Sequence, residues 1–185
     1  PELAWKIIER VNAAVSVPVT IKTRLGWDKG NINVVEFASG AAAAGAAAIA
    51  VHGRTRAQQY SGRADWDWIG KVKQAVPVPV IANGDVTDGA EAVRCLQRTG
   101  ADLVMIGRPA FGDPWIFEEV RVALTGTEWT GRPNLAERVD TAVHQIELAA
   151  ADKGEHIACL EARKHFAWYL RGVAHASYYK EKVSM

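Results

Sequence analysis

The 185-residue chain is predicted to be an α/β protein: half of a (β/α)8 barrel of the TIM type, followed by an all-α domain. Three observations predict it. Apolar strand-like runs alternate with helical stretches four times, at intervals of roughly 25 to 30 residues, the length of one βα unit. Short phrases recur: Ser16-Val17-Pro18-Val19 echoes Pro77-Val78-Pro79-Val80, and Ala44-Gly45-Ala46 echoes Thr99-Gly100-Ala101. After Pro114 no further strand pattern occurs.

Each element has a local reason. Leu3, Ile7, Ile8 and Val11 fall at helical spacing, so a helix runs to about Ala14. The first strand is expected over Val17–Thr23, with Pro18 at its start where a missing N–H is tolerated. A helix from about Asn33 ends at Gly45, and its Ala41–Ala48 tract reads as small residues that allow close packing. The second strand covers Ala47–His52, and a long polar loop leads to Asp65, which caps a helix through Ala75. The third strand is expected at Val78–Ala82, a helix at Asp88–Thr99 and the fourth strand at Asp102–Ile106. All four strands read as apolar throughout, as parallel strands covered on both faces must be.

Beyond them come helices near Trp115–Leu124, from the Asn134 cap to about Ala151, and from Glu155 through Arg171. The tail past Gly172 carries no clear pattern. The change of composition places domains at 1–125 and 126–185, divided near Gly126–Pro133. Four strands cannot close a barrel that needs eight, and an open half exposes unpaired edges. Either a missing N-terminal half-barrel or a second copy of the chain is therefore expected to cover them.

Composition narrows the function classes. With 49 % apolar residues, 23 % charged residues and a net charge of +1, the chain is an ordinary globular one without a bulk bias toward polyanions. No apolar run approaches membrane-spanning length, so neither a membrane nor a secreted context is expected, and the default location is the cytoplasm. Cys95 and Cys159 lack metal or redox spacing and are expected to be packed thiols. Gly40 and Gly45 have the spacing of a P-loop but no lysine follows, and no metal-ligand motif is present.

The chemistry-bearing residues cluster where strands end. Asn83-Gly84-Asp85 and Gly107-Arg108 are turns that leave strands for helices, the arrangement that cradles a phosphate on backbone N–H groups. Lys22 and His52 sit at the C-terminal ends of the first two strands, where barrels of this type hold their ligands.

In order and spacing, Ile21-Lys22-Thr23-Arg24-Leu25-Gly26-Trp27, Val51-His52-Gly53-Arg54-Thr55-Arg56, Ala82-Asn83-Gly84-Asp85-Val86 and Ile106-Gly107-Arg108-Pro109 resemble the tRNA-dihydrouridine synthases. The segment Arg163–Tyr169 resembles the C-terminal helical domain of that family. The resemblance implies the last four βα units of an FMN-binding barrel plus a helical domain that contacts tRNA. It also implies reduction of uridine to 5,6-dihydrouridine, with FMN as hydride donor and NADPH as its reductant. The matching positions imply that Lys22, His52, Asn83, Gly84, Asp85, Gly107 and Arg108 bind the cofactor.

Arg54 and Arg56 are either solvated loop charges or contacts to RNA phosphate or the target nucleotide. Lys164, Trp168 and Arg171 share a helical face by spacing. Lys164 and Arg171 are candidates for RNA, and Trp168 for the helical core. The acid cysteine of the family belongs to a loop before the first strand, upstream of Pro1, so this chain is expected to carry no catalytic acid and to be inactive alone. Two rival readings stand beside this one: an FMN barrel acting on a small metabolite, and a non-catalytic half-barrel that binds an anion or RNA.

Overall fold

The structure, a computed structural model, describes residues 1–184. It divides into two compact units, residues 1–106 and 107 onward. In the first, α1 (Glu2–Ala14) precedes β1 (Thr20–Arg24), α2 (Val34–Ala43), β2 (Ala48–His52), α3 (Trp66–Ala75), β3 (Val80–Asn83), α4 (Gly89–Thr99) and β4 (Leu103–Met105). The strands form one sheet in the order β1-β2-β3-β4, every neighbour parallel. Sequential parallel order with a helix in each crossover is the repeating wall of a (β/α) barrel, as expected.

Helices form where caps and patterns agree. Asp65 accepts from the Asp67 N–H and Asp88 from the Glu91 N–H, each satisfying an orphan donor of a first helical turn. The core lies between helices and sheet. Val34, Ala38, Ile69, Val72 and Ala92 from the helices are fully buried, as are Ile49, Val51, Val80 and Ala82 from the strands. The alanine-rich α2 serves close approach, as expected, but to a helix as well. Trp5 of α1 lies so near Gly40 that a Cβ there would fall 2.2 Å from the indole, and its Nε1 donates to the Phe37 carbonyl at 3.0 Å.

Two expectations about the strands need correction. The first and third strands begin later than predicted, because Pro18 and Pro79 lack the N–H the ladder needs and stay outside it. The same two strands also end one residue later than expected, so Arg24 and Asn83 are strand residues rather than loop residues. Continuous burial holds for β2 alone among the strands. β1 and β4 are sheet edges, with Lys22 and Leu103 exposed.

The second unit opens with a 3-10 turn, Arg108–Ala110, followed by α5 (Ile116–Thr125), α6 (Leu135–Lys153), α7 (Glu155–Tyr169) and α8 (Ala176–Ser184), which covers the unpatterned tail. Its boundary falls earlier than the 125/126 division expected from composition. Side chains explain why: Arg132 pairs with Asp113 and Glu119, and a Cβ on Gly112 would meet the Trp168 backbone carbonyl carbon at 2.4 Å. The segment before and within α5 is thus packed into the helical unit. Asn134 and Glu137 form a full capping box on α6. α6 and α7 meet through Ala142, Ala158 and Ala162, all buried, and through Tyr169 donating to Gln145 at 2.8 Å. Cys95 is packed as expected, but Cys159 is exposed on α7, since the α6 contact falls on its neighbour Ala158.

Candidate functional site

Parallel pairing brings the C-terminal ends of β1, β2 and β3 level. Arg24 lies opposite His52, and His52 opposite Asn83. Lys22 Nζ donates to Asn83 Oδ1 at 2.7 Å, while Asn83 Nδ2 donates to the Met105 carbonyl at 2.8 Å. One amide thereby holds the lysine of β1 and ties β3 to β4. Partial desolvation, and then the like charge of Arg24, lowers Lys22 below the ordinary lysine value.

His52 is buried at the end of β2. Burial, with Arg24, Lys22 and Arg54 as neighbouring cations, pulls its pKa down to about 4, against a smaller opposing pull from Asp85. Near neutral pH the imidazole is uncharged. Arg54 Nη1 stands 3.4 Å from His52 Nε2, and a guanidinium can only donate. The lone pair is therefore on Nε2 and the proton on Nδ1.

Arg54 does not stand on the rim as a free cation for RNA. It is 3 % exposed, and its Nη2 donates to both oxygens of Asp85, at 2.6 and 2.9 Å, and to the Gly62 carbonyl at 2.6 Å. Its Nε reaches the Ser61 carbonyl at 3.3 Å. Asp85 also accepts from the Ala64 N–H at 2.6 Å. Burial alone would raise the Asp85 pKa, but the Ala64 N–H, the Arg54 hydrogen bond and the Arg54 charge outweigh it and hold the carboxyl low. The pair clasps the loop after β2 to the turn after β3. The sequence offered no signal for it beyond an arginine and an aspartate, because the partners lie 31 residues apart.

Gly84 is held between these parts. Its φ is +115°, and a Cβ there would stand 2.8 Å from Ala64 Cβ and 3.0 Å from His52 Cδ2. Its carbonyl accepts from Trp66 Nε1 at 2.9 Å. The turn is locked open without side-chain bulk. Lys22, His52, Asn83, Gly84 and Asp85 are thus brought together in the first unit. Arg24, absent from the expected set, belongs with them: its Nη1 donates to the Thr55 and Gln59 carbonyls, both at 2.9 Å. Its place at the end of an apolar run, two residues after Lys22 and so on the same face of the strand, was the available signal.

Gly107 and Arg108 open the second unit, both exposed. A Cβ on Gly107 would meet nothing within 4 Å, so the chain's own packing does not require glycine there. Arg56 is exposed in the loop after β2. Trp168 joins the helical packing, stacked on Phe111 with centroids 4.2 Å apart, and Lys164 Nζ lies 5.6 Å from its ring. The expected shared face stops short of Arg171, since α7 ends at Tyr169. The Arg171 carbonyl accepts from Arg138 at 3.1 Å, and with Trp168 and Phe111 the residue lines a cleft of about 250 Å³.

Fold and site together define a class: a parallel βα-repeat protein of TIM-barrel type, with a fixed cation, a neutral imidazole and a bulk-free turn at its strand ends. Comparison with known proteins narrows it. The family "Dihydrouridine synthase (Dus)" matches residues 1–185. The "Probable tRNA-dihydrouridine synthase 1" of Synechocystis sp. is 45 % identical over 183 residues, 99 % of this chain and 51 % of that protein. The "tRNA-dihydrouridine synthase B" of Vibrio vulnificus is 43 % identical over 97 % of this chain and 56 % of its own length. Among solved structures, a mandelate oxidase mutant with 3,3,3-trifluoro-2,2-dihydroxypropanoic acid superposes with a TM-score of 0.50 at 26 % identity, over 65 % of this chain and 38 % of that one. The chain belongs to the dihydrouridine synthase family. It spans about half the length of the curated relatives it matches.

Proposed function

We propose that this chain forms the cofactor-binding part of an FMN-dependent enzyme that reduces uridine to 5,6-dihydrouridine in tRNA. The observation that carries the reading is the Lys22–Asn83–Gly84 constellation at parallel strand ends, in a chain matched by the family from end to end. The residues present fit FMN. Lys22 supplies a cation for the electron-rich pyrimidine edge of an isoalloxazine, and Asn83 fixes where that charge stands. His52 offers an uncharged hydrogen-bonding ring, so it orients a neighbour without adding a competing positive charge. In the first unit Gly84 suits close backbone approach to the cofactor; in the second, Gly107 has no packing demand of its own and Arg108 is a guanidinium able to fork onto a phosphate. Bound FMN supplies the hydride for the uracil C5–C6 bond, and NADPH is the proposed source of its electrons.

Cys95 does not suit the role of proton donor. It is fully buried, and burial, with Glu91 nearby, pushes its pKa up to about 11. We place the acid cysteine in βα units that precede β1. The same units would cover the β1 edge and the apolar stripe of α1, where Leu3 and Ile7 are more than half exposed. The contacts proposed for tRNA are Arg56 on the strand-end rim and Lys164 and Arg171 in the helical unit. No helix among the described residues is long and apolar enough to cross a membrane, and a tRNA substrate favours the cytoplasm.

The test is dihydrouridine formation on an unmodified tRNA transcript by the full-length protein with FMN and NADPH, read as a two-hydrogen mass gain on uridine. Lys22→Ala is expected to lower the rate by about 100-fold, the scale of one lost electrostatic stabiliser. The likeness to mandelate oxidase favours the small-metabolite alternative instead, and a flavin-loaded protein that neither binds nor modifies tRNA would select it.

A further inference from the structure

The loops after β1 and β2 are joined into one rigid surface that presents an indole to solvent. Trp27 is 66 % exposed, a large apolar ring kept out of any core. Its backbone is not loose. The Trp27 N–H donates to the Asn31 carbonyl at 3.2 Å, and its own carbonyl accepts from the Ala57 N–H at 2.8 Å. Next to it, the Gly26 carbonyl accepts from the Arg56 N–H at 2.9 Å. The Asp28 carboxylate closes the loop from within, accepting from the Gly30 N–H and Asn31 Nδ2, both at 2.8 Å. Leu25, 2 % exposed, anchors the base. The Arg56 guanidinium lies over the indole, 5.7 Å from its centroid.

On the proposed reading that the partner is tRNA, we propose that Trp27 and Arg56 form a stacking platform for an unpaired base beside the reacting uridine. A rigidly held aromatic ring offers stacking area to any base at little ordering cost, and an adjoining guanidinium adds a cation for the strand's phosphates. The charge of the two loops favours RNA over a protein partner. Their exposed charged side chains are Lys29, Arg56 and Arg63 against Asp65 alone, and Asp65 is committed to capping α3. The platform stands at the strand-end side of the sheet, as do Lys22 and His52. It would govern how the single strand is presented, not the chemistry itself.

The experiment measures affinity of the full-length protein for an unmodified tRNA transcript across a salt series, with dihydrouridine formation and association state followed in parallel. Trp27→Ala is expected to weaken binding about 10-fold without changing the salt slope, and Trp27→Phe to stay within about 3-fold of wild type. Arg56→Gln should weaken binding and reduce the slope by about 0.7, one phosphate contact on a single strand. Wild-type affinity in Trp27→Ala, with dihydrouridine still formed by the parent protein, overturns the platform and leaves the enzymatic reading intact. A change in association state with unaltered RNA affinity also overturns it, making the indole a protein contact. If the parent protein neither binds nor modifies the transcript, both readings fail.

Discussion

In the sheet unit, Arg54 is buried against Asp85 of the turn after β3, whereas in the helical unit Arg121 pairs with Glu118 one turn away on α5, both open to water. The residue types match and their consequences differ. A pair with one member withdrawn from solvent is costly to break, while a fully exposed pair exchanges its partner for water. The strand-end rim is thus built from obligatory contacts and the helical surface from optional ones. The cofactor site proposed at this rim would need the first kind.

That contrast can be broken at several points. Arg54→Ala should cost most, about 3 kcal/mol of unfolding free energy in denaturant titration, because Asp85, 32 % exposed, and the Ser61 and Gly62 carbonyls all lose their donor. A loss under about 1 kcal/mol would show that the clasp holds nothing. His52 gives a pH signature. Its folded pKa of about 4 lies below the unfolded value near 6.5, so the folded state favours the neutral ring. Its contribution is complete above pH 6.5 and is lost as pH falls toward 4, by about 3 kcal/mol at most. His52→Gln should flatten unfolding free energy across that window, and an unchanged pH profile would refute the buried neutral imidazole.

Gly84→Ala should destabilise by about 2 kcal/mol, from a strained φ and the collision with Ala64, and it should weaken FMN binding in fluorescence titration. In the helical unit, Asn134→Ala removes a capping box and should cost about 1 kcal/mol. Last and smallest, Arg121→Ala should leave Tm unchanged within error, since both members of its pair are exposed. A clear drop there would erase the distinction between the two units.

Much of the site was legible because βα repeats place function at strand ends. Lys22, His52 and Asn83 each follow an apolar run, so their position needed only the period of the sequence. Arg54 was misread because exposure is not a property of arginine but of what surrounds it, and Asp85 arrives from another βα unit. Strand starts slid for a covalent reason that was present in the sequence: proline carries no donor. Parallel register, not the strand start, sets Arg24 and Asn83 inside the ladder, level with His52.

Pattern, caps and turn glycines determined by themselves that the chain would alternate helix and parallel strand, and to within a few residues where each would lie, because those effects act locally. Only the tertiary structure decided which charges are buried and which face water. Desolvation and ion pairing depend on neighbours that the chain brings together from tens of residues away, as when Asn83 grips Lys22 from β3 and Arg54 withdraws to meet Asp85.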